Sequence, residues 1–383
     1  MASPSTLSRI KLLLKPPSLF SALTNLRRNQ LPLKSAFTTS SSPISSSSKR
    51  HADVVVLGIE TSCDDTAAAV VCNPRLPFVN YFPCDGLVRS DGEILSQVVS
   101  SQADLLAKYG GVAPKMAEEA HSQAIDRVVQ EALDKAYMTE KDLTAVAVTI
   151  GPGLSLCLRA IFIGGHNLLI LARDLGQYIQ LGTTIDDAIG EAYDKTAKWL
   201  GLDLRRSGGP AIEQLAMEGN AESVKFSIPM KQHKDCNFSY AGLKTQVRLA
   251  IESKKIDAKI PISSASEEDR MSRADIAASF QRTAVLHLEE RCERAIQWAL
   301  KMEPSIRHLV VSGGVASNQY VRARLDMVAK KNGLQLLCPP PRLCTDNGVM
   351  IAWTGIEHFR MGRYDPPPPA EEPEDFVVCF LEH

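Results

Sequence analysis

Two short apolar runs, Val54 to Ile59 and Ala67 to Val71, flank a polar stretch that holds Glu60, Asp64 and Asp65. Both runs are rich in β-branched or small apolar residues and too short for helices, so they predict buried strands joined as a hairpin. Gly58 allows backbone to approach closely there. The pattern then changes period. Glu93 to Tyr109 reads as a helix stopped by Gly110-Gly111. A second helix is predicted over roughly 114–136, with Pro114 in its first turn and Ile125, Val128, Val129, Ala132 and Leu133 toward one side. Thr144 to Ile150 is a strand closed by Gly151-Pro152-Gly153-Leu154, and Asn167 to Ala172 is the next strand.

Beyond it, residues 184–200 predict a helix, with Thr183 or Thr184 as cap and Gly201 as stop. Ser207 to Met217 is a short helix, and Phe238 to Thr245 leads into one that ends near Ser253. Residues 254–272 read as an exposed charged connector, and Asp275 to Met302 as a long amphipathic helix. His308 to Val311 is a strand, followed by Ser312-Gly313-Gly314 and a helix over 318–331. This strand–turn–helix order presents backbone N–H groups to a nucleotide. Leu334 to Cys338 is a strand, and a last helix runs to about Met361. The alternation predicts an α/β class with two similar domains around a cleft. One interval breaks the pattern. Only ten residues separate Gly153 from Gly164, whereas a parallel strand–helix–strand crossover takes a dozen or more. Either the flanking strands pair as neighbours or a unit is missing.

Composition narrows the class. The 383 residues are 44% hydrophobic and 23% charged, a globular balance whose length predicts two domains. No apolar run approaches the roughly 20 residues of a membrane span. Nine cysteines without a C-x-x-C pair argue against a zinc ribbon or thioredoxin-type motif and for a reducing compartment. Charge is uneven: residues 1–50 hold eight Lys or Arg and no acid, are rich in serine, and place Leu7, Ile10, Leu13 and Leu14 on one face. That is the pattern of a transit peptide, disordered once delivered, with the mitochondrion favoured over the plastid. Without those eight bases, 35 basic residues face 44 acidic ones, a net of −9. Bulk electrostatic affinity for nucleic acid is excluded, so any RNA contact rests on a local patch or a partner.

The hairpin, Ile59-Glu60-Thr61-Ser62-Cys63-Asp64-Asp65-Thr66, is similar to the first phosphate-handling hairpin of the actin, Hsp70 and sugar-kinase superfamily. Tyr109-Gly110-Gly111-Val112, Gly151-Pro152-Gly153-Leu154, Asp186 to Lys195, Phe238 to Thr245, Ser312-Gly313-Gly314 with Asn318, and Cys344-Thr345-Asp346-Asn347-Gly348 follow in order. With them the chain resembles, over roughly residues 53–362, the organellar branch of the tRNA N6-adenosine threonylcarbamoyltransferases. The resemblance implies a transit peptide over 1–50, an N-terminal α/β domain over 51–165 that is incomplete, a C-terminal α/β domain with a helical insertion over 166–361, and a loose Pro-rich tail over 362–383. Both domains are expected to be actin/Hsp70/sugar-kinase-like and to flank a nucleotide cleft.

It implies an activity too. A threonylcarbamoyl group passes from threonylcarbamoyl-AMP to N6 of adenosine 37 in tRNAs that read codons beginning with A. The enzyme is expected to act as a homodimer in the mitochondrial matrix. By position Asp346 corresponds to a metal aspartate of a divalent cation site, and Asp194, Gly209 and Asn318 to nucleotide-binding residues. Ile161, Phe162, Ile163, Gly164 and Gly165 take the place of the substrate loop, with Ile163 where the family has a serine. AMP already activates the carbamoyl group, so no covalent nucleophile is required. The site needs orientation, charge neutralisation at the phosphate and an acceptor for the amine proton. Glu60 and Asp64 are the residues expected to orient substrate or handle that proton.

The family's two metal histidines, spaced His-x-x-x-His, fall in the ten-residue interval. Here histidine stands at 51, 121, 166, 233, 287, 308, 358 and 383, and no two are within four residues. An internal deletion fits best. Two alternatives stay open: an inactive isoform that binds without transferring, and another ATP-using superfamily member such as a sugar kinase. A protease is disfavoured, since neither H-E-x-x-H nor a nucleophile elbow occurs.

Overall fold

The computed structural model describes residues 9–14, 54–61, 65–73, 92–102, 104, 114–151, 167–174, 177–205 and 207–365. These form nine strands and seven α-helices, a mixed α/β chain that divides into two compact units.

The first unit is built on a five-stranded sheet of order β1-β5-β2-β3-β4. Its centre is β2 (Val54–Glu60), buried at every residue. It pairs antiparallel with β3 (Thr66–Asn73), from Val54 opposite Asn73 to Glu60 opposite Ala67, and parallel with β5 (Ala145–Gly151). Both faces are covered, which is why β2 is apolar without alternation. Val55, Leu57 and Ile59 pack with Val128, Val129, Ala132 and Leu133 of α1 (Pro114–Lys135). The other face takes α7 (Gly348–Arg360), whose Gly348 carbonyl and Ala352 amide crowd the site of a would-be Gly58 side chain. The sequence places this last helix with the C-terminal half; its buried Val349, Ile351, Ala352 and Ile356 instead belong to the first unit.

Two expectations are corrected in this sheet. Glu93–Ser100, read as the start of a helix, is strand β4, antiparallel to β3 with an irregularity between Val70 and Val71. The waiting edge of β3 supplies backbone partners that outweigh a periodicity fitting either element. Arg9–Leu14, expected to be disordered, is strand β1, antiparallel to β5 from Arg9 opposite Gly151 to Leu14 opposite Ala145. An unpaired edge is a template for pairing, and β1 satisfies it. A chain shortened by residues 1–14 is therefore expected to melt lower and to self-associate with rising concentration. Melts and light scattering unchanged by the deletion would show that β1 contributes nothing.

The second unit carries an antiparallel hairpin, β6 (Leu168–Asp174) with β7 (Gln177–Thr183), and a parallel pair, β8 (His308–Val310) with β9 (Gln335–Leu337). Around them lie α2 (Ile189–Trp199), α3 (Gly208–Ala216), α4 (Ala241–Ser253), α5 (Glu267–Met302) and α6 (Gln319–Lys331). Tyr193, Phe238, Tyr240 and Phe280 centre its core, with Tyr193 edge-on to Phe280 at 5.0 Å. The neighbours offered for β5 and β6 are not each other, because the two strands lie in different sheets.

Helix α5 starts at Glu267, well before Asp275. Ser266 caps it by accepting from the Asp269 amide at 3.2 Å. Arg273, between the segment read as an exposed connector and the expected helix start, is fully buried. Its guanidinium donates to the carbonyls of Leu200 and Ile260, both at 2.9 Å, and of Asp257 at 3.1 Å. Helix α2 starts at Ile189 rather than 184, since Asp186 bonds to the Phe238–Ala241 segment. The described cysteines 72, 236, 292, 338 and 344 are all free thiols. No helix among the described residues is long and apolar enough to cross a membrane.

Candidate functional site

In the second unit, four helices bring chemistry-bearing groups to one place. Asp194 of α2 accepts the amide of Gly208, the first residue of α3, at 2.6 Å. One residue on, Gly209 has no neighbouring atom within 4 Å of where a Cβ would stand, so α3 opens onto space at its first turn. A turn further, Glu213 accepts from the α6 amides of Gln319 at 2.6 Å and Tyr320 at 3.4 Å. Asn318 caps α6 by accepting the Val321 amide at 3.0 Å and donates through Nδ2 to Gln281 of α5, also at 3.0 Å. Gly313, at φ +94°, and Gly314 also face open space. Asp194, Gly209 and Asn318 thus belong to one connected network. The sequence reading missed Glu213 and Gln281.

The network corrects one expectation. The first amides of α6 are taken by Glu213 and Asn318, so this helix N-terminus does not offer bare N–H groups to a phosphate.

The Asp186 to Lys195 segment is anchored from its first residue. Burial pushes Asp186 up, but hydrogen bonds from the Ser239 hydroxyl and the amides of Tyr240, Asp187 and Ala241 outweigh it and hold the carboxyl below its ordinary value. Lys244 is paired with Asp187 at 2.7 Å and Glu191 at 3.0 Å. His287, buried between Phe238 and Tyr240, is pushed down to about 4 by burial and by Arg291. It stays neutral at physiological pH and accepts from the Ser239 amide at 3.3 Å. A cavity of about 650 Å³ lies beside α3, lined by Leu202, Pro210, Ala211, Leu215 and Ile262. Its guanidinia are engaged by their own carboxylates, Arg205 with Asp203 and Arg270 with Glu218.

In the first unit, Glu60 ends β2 and is 1% exposed. Its carboxylate accepts from the Thr149 hydroxyl of β5, which ties together the C-terminal ends of two parallel strands, where ligands of α/β sheets bind. His121 of α1 is also buried, with Nδ1 2.8 Å from the Thr66 hydroxyl. Asp64 and the Ile161–Gly165 loop (Ile161, Phe162, Ile163, Gly164, Gly165) lie outside the described residues, as does His166.

A family model described as TsaD, tRNA N6-adenosine threonylcarbamoyltransferase, matches residues 93–162 and 160–353. The chain belongs to this family. A probable mitochondrial tRNA N6-adenosine threonylcarbamoyltransferase of Arabidopsis thaliana is 64% identical over 381 residues, with 88% of this chain and 76% of that protein covered. The mitochondrial tRNA N6-adenosine threonylcarbamoyltransferase of Xenopus tropicalis is 38% identical over 358 residues, covering 80% of this chain and 83% of its own. The tRNA N6-adenosine threonylcarbamoyltransferase of Rhizobium etli (strain CIAT 652) is 40% identical over 352 residues, covering 80% and 89%.

The metal expected in this family does not fit the donors among the described residues. Among the described residues no three His, Cys, Asp or Glu side chains gather as a cation site. Asp346 stands at the foot of α7, one carboxylate without the helical histidine pair, and one carboxylate alone holds a divalent ion weakly. His121 is already bonded to Thr66.

Proposed function

We propose that this chain serves tRNA threonylcarbamoylation: transfer of the threonylcarbamoyl group from threonylcarbamoyl-AMP to N6 of adenosine 37 in tRNAs reading codons that begin with A. The observation that carries the reading is the network joining Asp194, Gly209, Glu213, Asn318 and Gln281 in a chain of this family. Asp194 holds the first turn of α3 so that Gly209 faces the adenylate, and Asn318 bonds its base or sugar. The N6 amine attacks the carbamoyl carbon, the bond to the AMP oxygen breaks, and AMP leaves with its electron pair. Glu60 orients the turn that carries Asp64, and Asp64 takes the proton lost by the amine. The Ile161–Gly165 loop holds the threonyl end. A second copy of the chain is the expected companion. The mitochondrial relatives support a mitochondrial destination, with the matrix as the site of work and residues 1–50 as the transit segment, whose removal on import would bare the β5 edge that β1 takes in the full chain.

The reading includes a deletion between Leu158 and Gly164. The family match breaks into two pieces that meet at 160–162. The alignment with the Arabidopsis relative is 381 positions long, yet takes in only 88% of 383 residues, so tens of its positions face nothing here. With the histidine pair gone from beside Asp346, transfer by this chain is expected to be far slower than by a histidine-bearing relative.

Purified chain with threonylcarbamoyl-AMP and unmodified tRNA provides the test, read by mass spectrometry of digested nucleosides. A modified adenosine is expected, and Asp194→Ala is expected to lower its yield about tenfold or more. Phosphorylation of a sugar, or a modified nucleoside other than adenosine, would overturn the reading.

A further inference from the structure

Gln281 lies midway along α5, 5% exposed, on a stripe otherwise made of Ala277, Ala278, Ala284 and Val285. A buried amide gives up water on both of its edges, and an apolar side chain would pack there without that loss. Its direction is set by its neighbours. The Val321 amide donates to Asn318 Oδ1, so Asn318 must turn its nitrogen toward Gln281, and Gln281 must answer with Oε1. That leaves Gln281 Nε2 pointing away from the pair. This nitrogen has no hydrogen-bond partner among the described residues and is not sealed from solvent, and the second N–H of Asn318 is equally unused among them.

We infer that Gln281 is itself a nucleotide ligand: its oxygen fixes the Asn318 amide, and its outward Nε2 is a second donor, after Asn318 Nδ2, for the ring nitrogens of an adenine base. Two neutral amides suit an uncharged base better than a phosphate, and the open space at Gly209, Gly313 and Gly314 gives a base room. The inference rests on the reading of Asn318 as part of the adenylate site.

Two substitutions separate locking from donating. Gln281→Glu keeps an oxygen for Asn318 but replaces the outward donor by an acceptor; Gln281→Leu removes both. AMP and ribose 5-phosphate are titrated calorimetrically into the full chain and its variants. Both substitutions are expected to weaken AMP about tenfold or more, to leave ribose 5-phosphate unchanged, and, for Gln281→Glu, to keep the melting temperature within a few degrees. Wild-type AMP affinity in Gln281→Glu would overturn the inference, as would a parallel loss of both ligands, which is the signature of a merely structural residue. Asn318→Ala separates the two levels. If it loses AMP while both Gln281 variants bind normally, only the inference fails. If it binds AMP like the parent, or the parent binds none, the site reading falls with it.

Discussion

Replacing Gly58 with alanine is expected to destabilise the first unit by about 3 kcal/mol or more, at the upper end of what overpacking costs. An added Cβ would stand 2.2 Å from the Gly348 carbonyl oxygen and 2.3 Å from the Ala352 amide nitrogen. Both are backbone atoms of α7, so no side chain can swing aside. The helix must lift from β2, and Val349, Ile351, Ala352 and Ile356 lose contact as it does. For a unit of this size the loss amounts to roughly 6–12 °C in melting temperature. Trp353 reports it, because its ring covers Gly92 in this unit whereas Trp199 and Trp298 sit in the other. Gly348→Ala meets Ala69 N at 2.5 Å and the Gly58 carbonyl at 2.7 Å, so the two substitutions strain one contact. The double variant should cost less than the two singles together, since a helix already lifted has room for the second methyl. Gly190→Ala is the contrast. It meets nothing within 4 Å and sits in the first turn of α2, so it should stabilise by about 0.5–1 kcal/mol. Equal melting of Gly58→Ala and wild type would refute the close packing of α7 on β2.

The β2–β3 hairpin was legible because a strand buried on both faces needs no alternation and β-branched runs have few other uses. The start of α1 was legible from Pro114, and α6 runs over Gln319–Lys331 against an expected 318–331. What failed depended on partners distant in sequence. Glu93–Ser100 fits either period, and only β3 decides for a strand. The early start of α5 was written locally, in Ser266 followed by Glu267, Glu268 and Asp269, but the charge of that turn disguised it as a loop. The late start of α2 was not, because the groups that hold Asp186 are Ser239 and Tyr240, more than fifty residues away. At the site, Asp194, Gly209 and Asn318 came from resemblance alone. Gln281 had a signal that was overlooked: a glutamine on an otherwise apolar helical stripe. Glu213 had none, since a carboxylate on a short amphipathic helix reads as a solvated face until α6 arrives beside it.

Reinstating a relative's histidine-bearing segment between Leu158 and Gly164 is expected to raise transfer by orders of magnitude, from near background to chelator-sensitive turnover. The argument is one of donor count. Asp346 alone cannot hold a divalent ion against water, while two histidines on one helical turn add two directed ligands. The effect on the fold should be as large. The edge of β5 now takes an antiparallel strand from the far N-terminus, Arg9–Leu14. A parallel strand arriving through a helix would take that edge and bring its own cover for the sheet. The melting temperature should therefore rise, and removing residues 1–14 from the repaired chain should no longer promote self-association, because β1 would have lost its place. That third readout is independent of catalysis. A repaired chain that gains activity but still needs residues 1–14 to hold down concentration-dependent self-association would mean that the missing segment lay at the site and not in the sheet. A repaired chain that gains neither activity nor stability would mean that nothing is missing at that join.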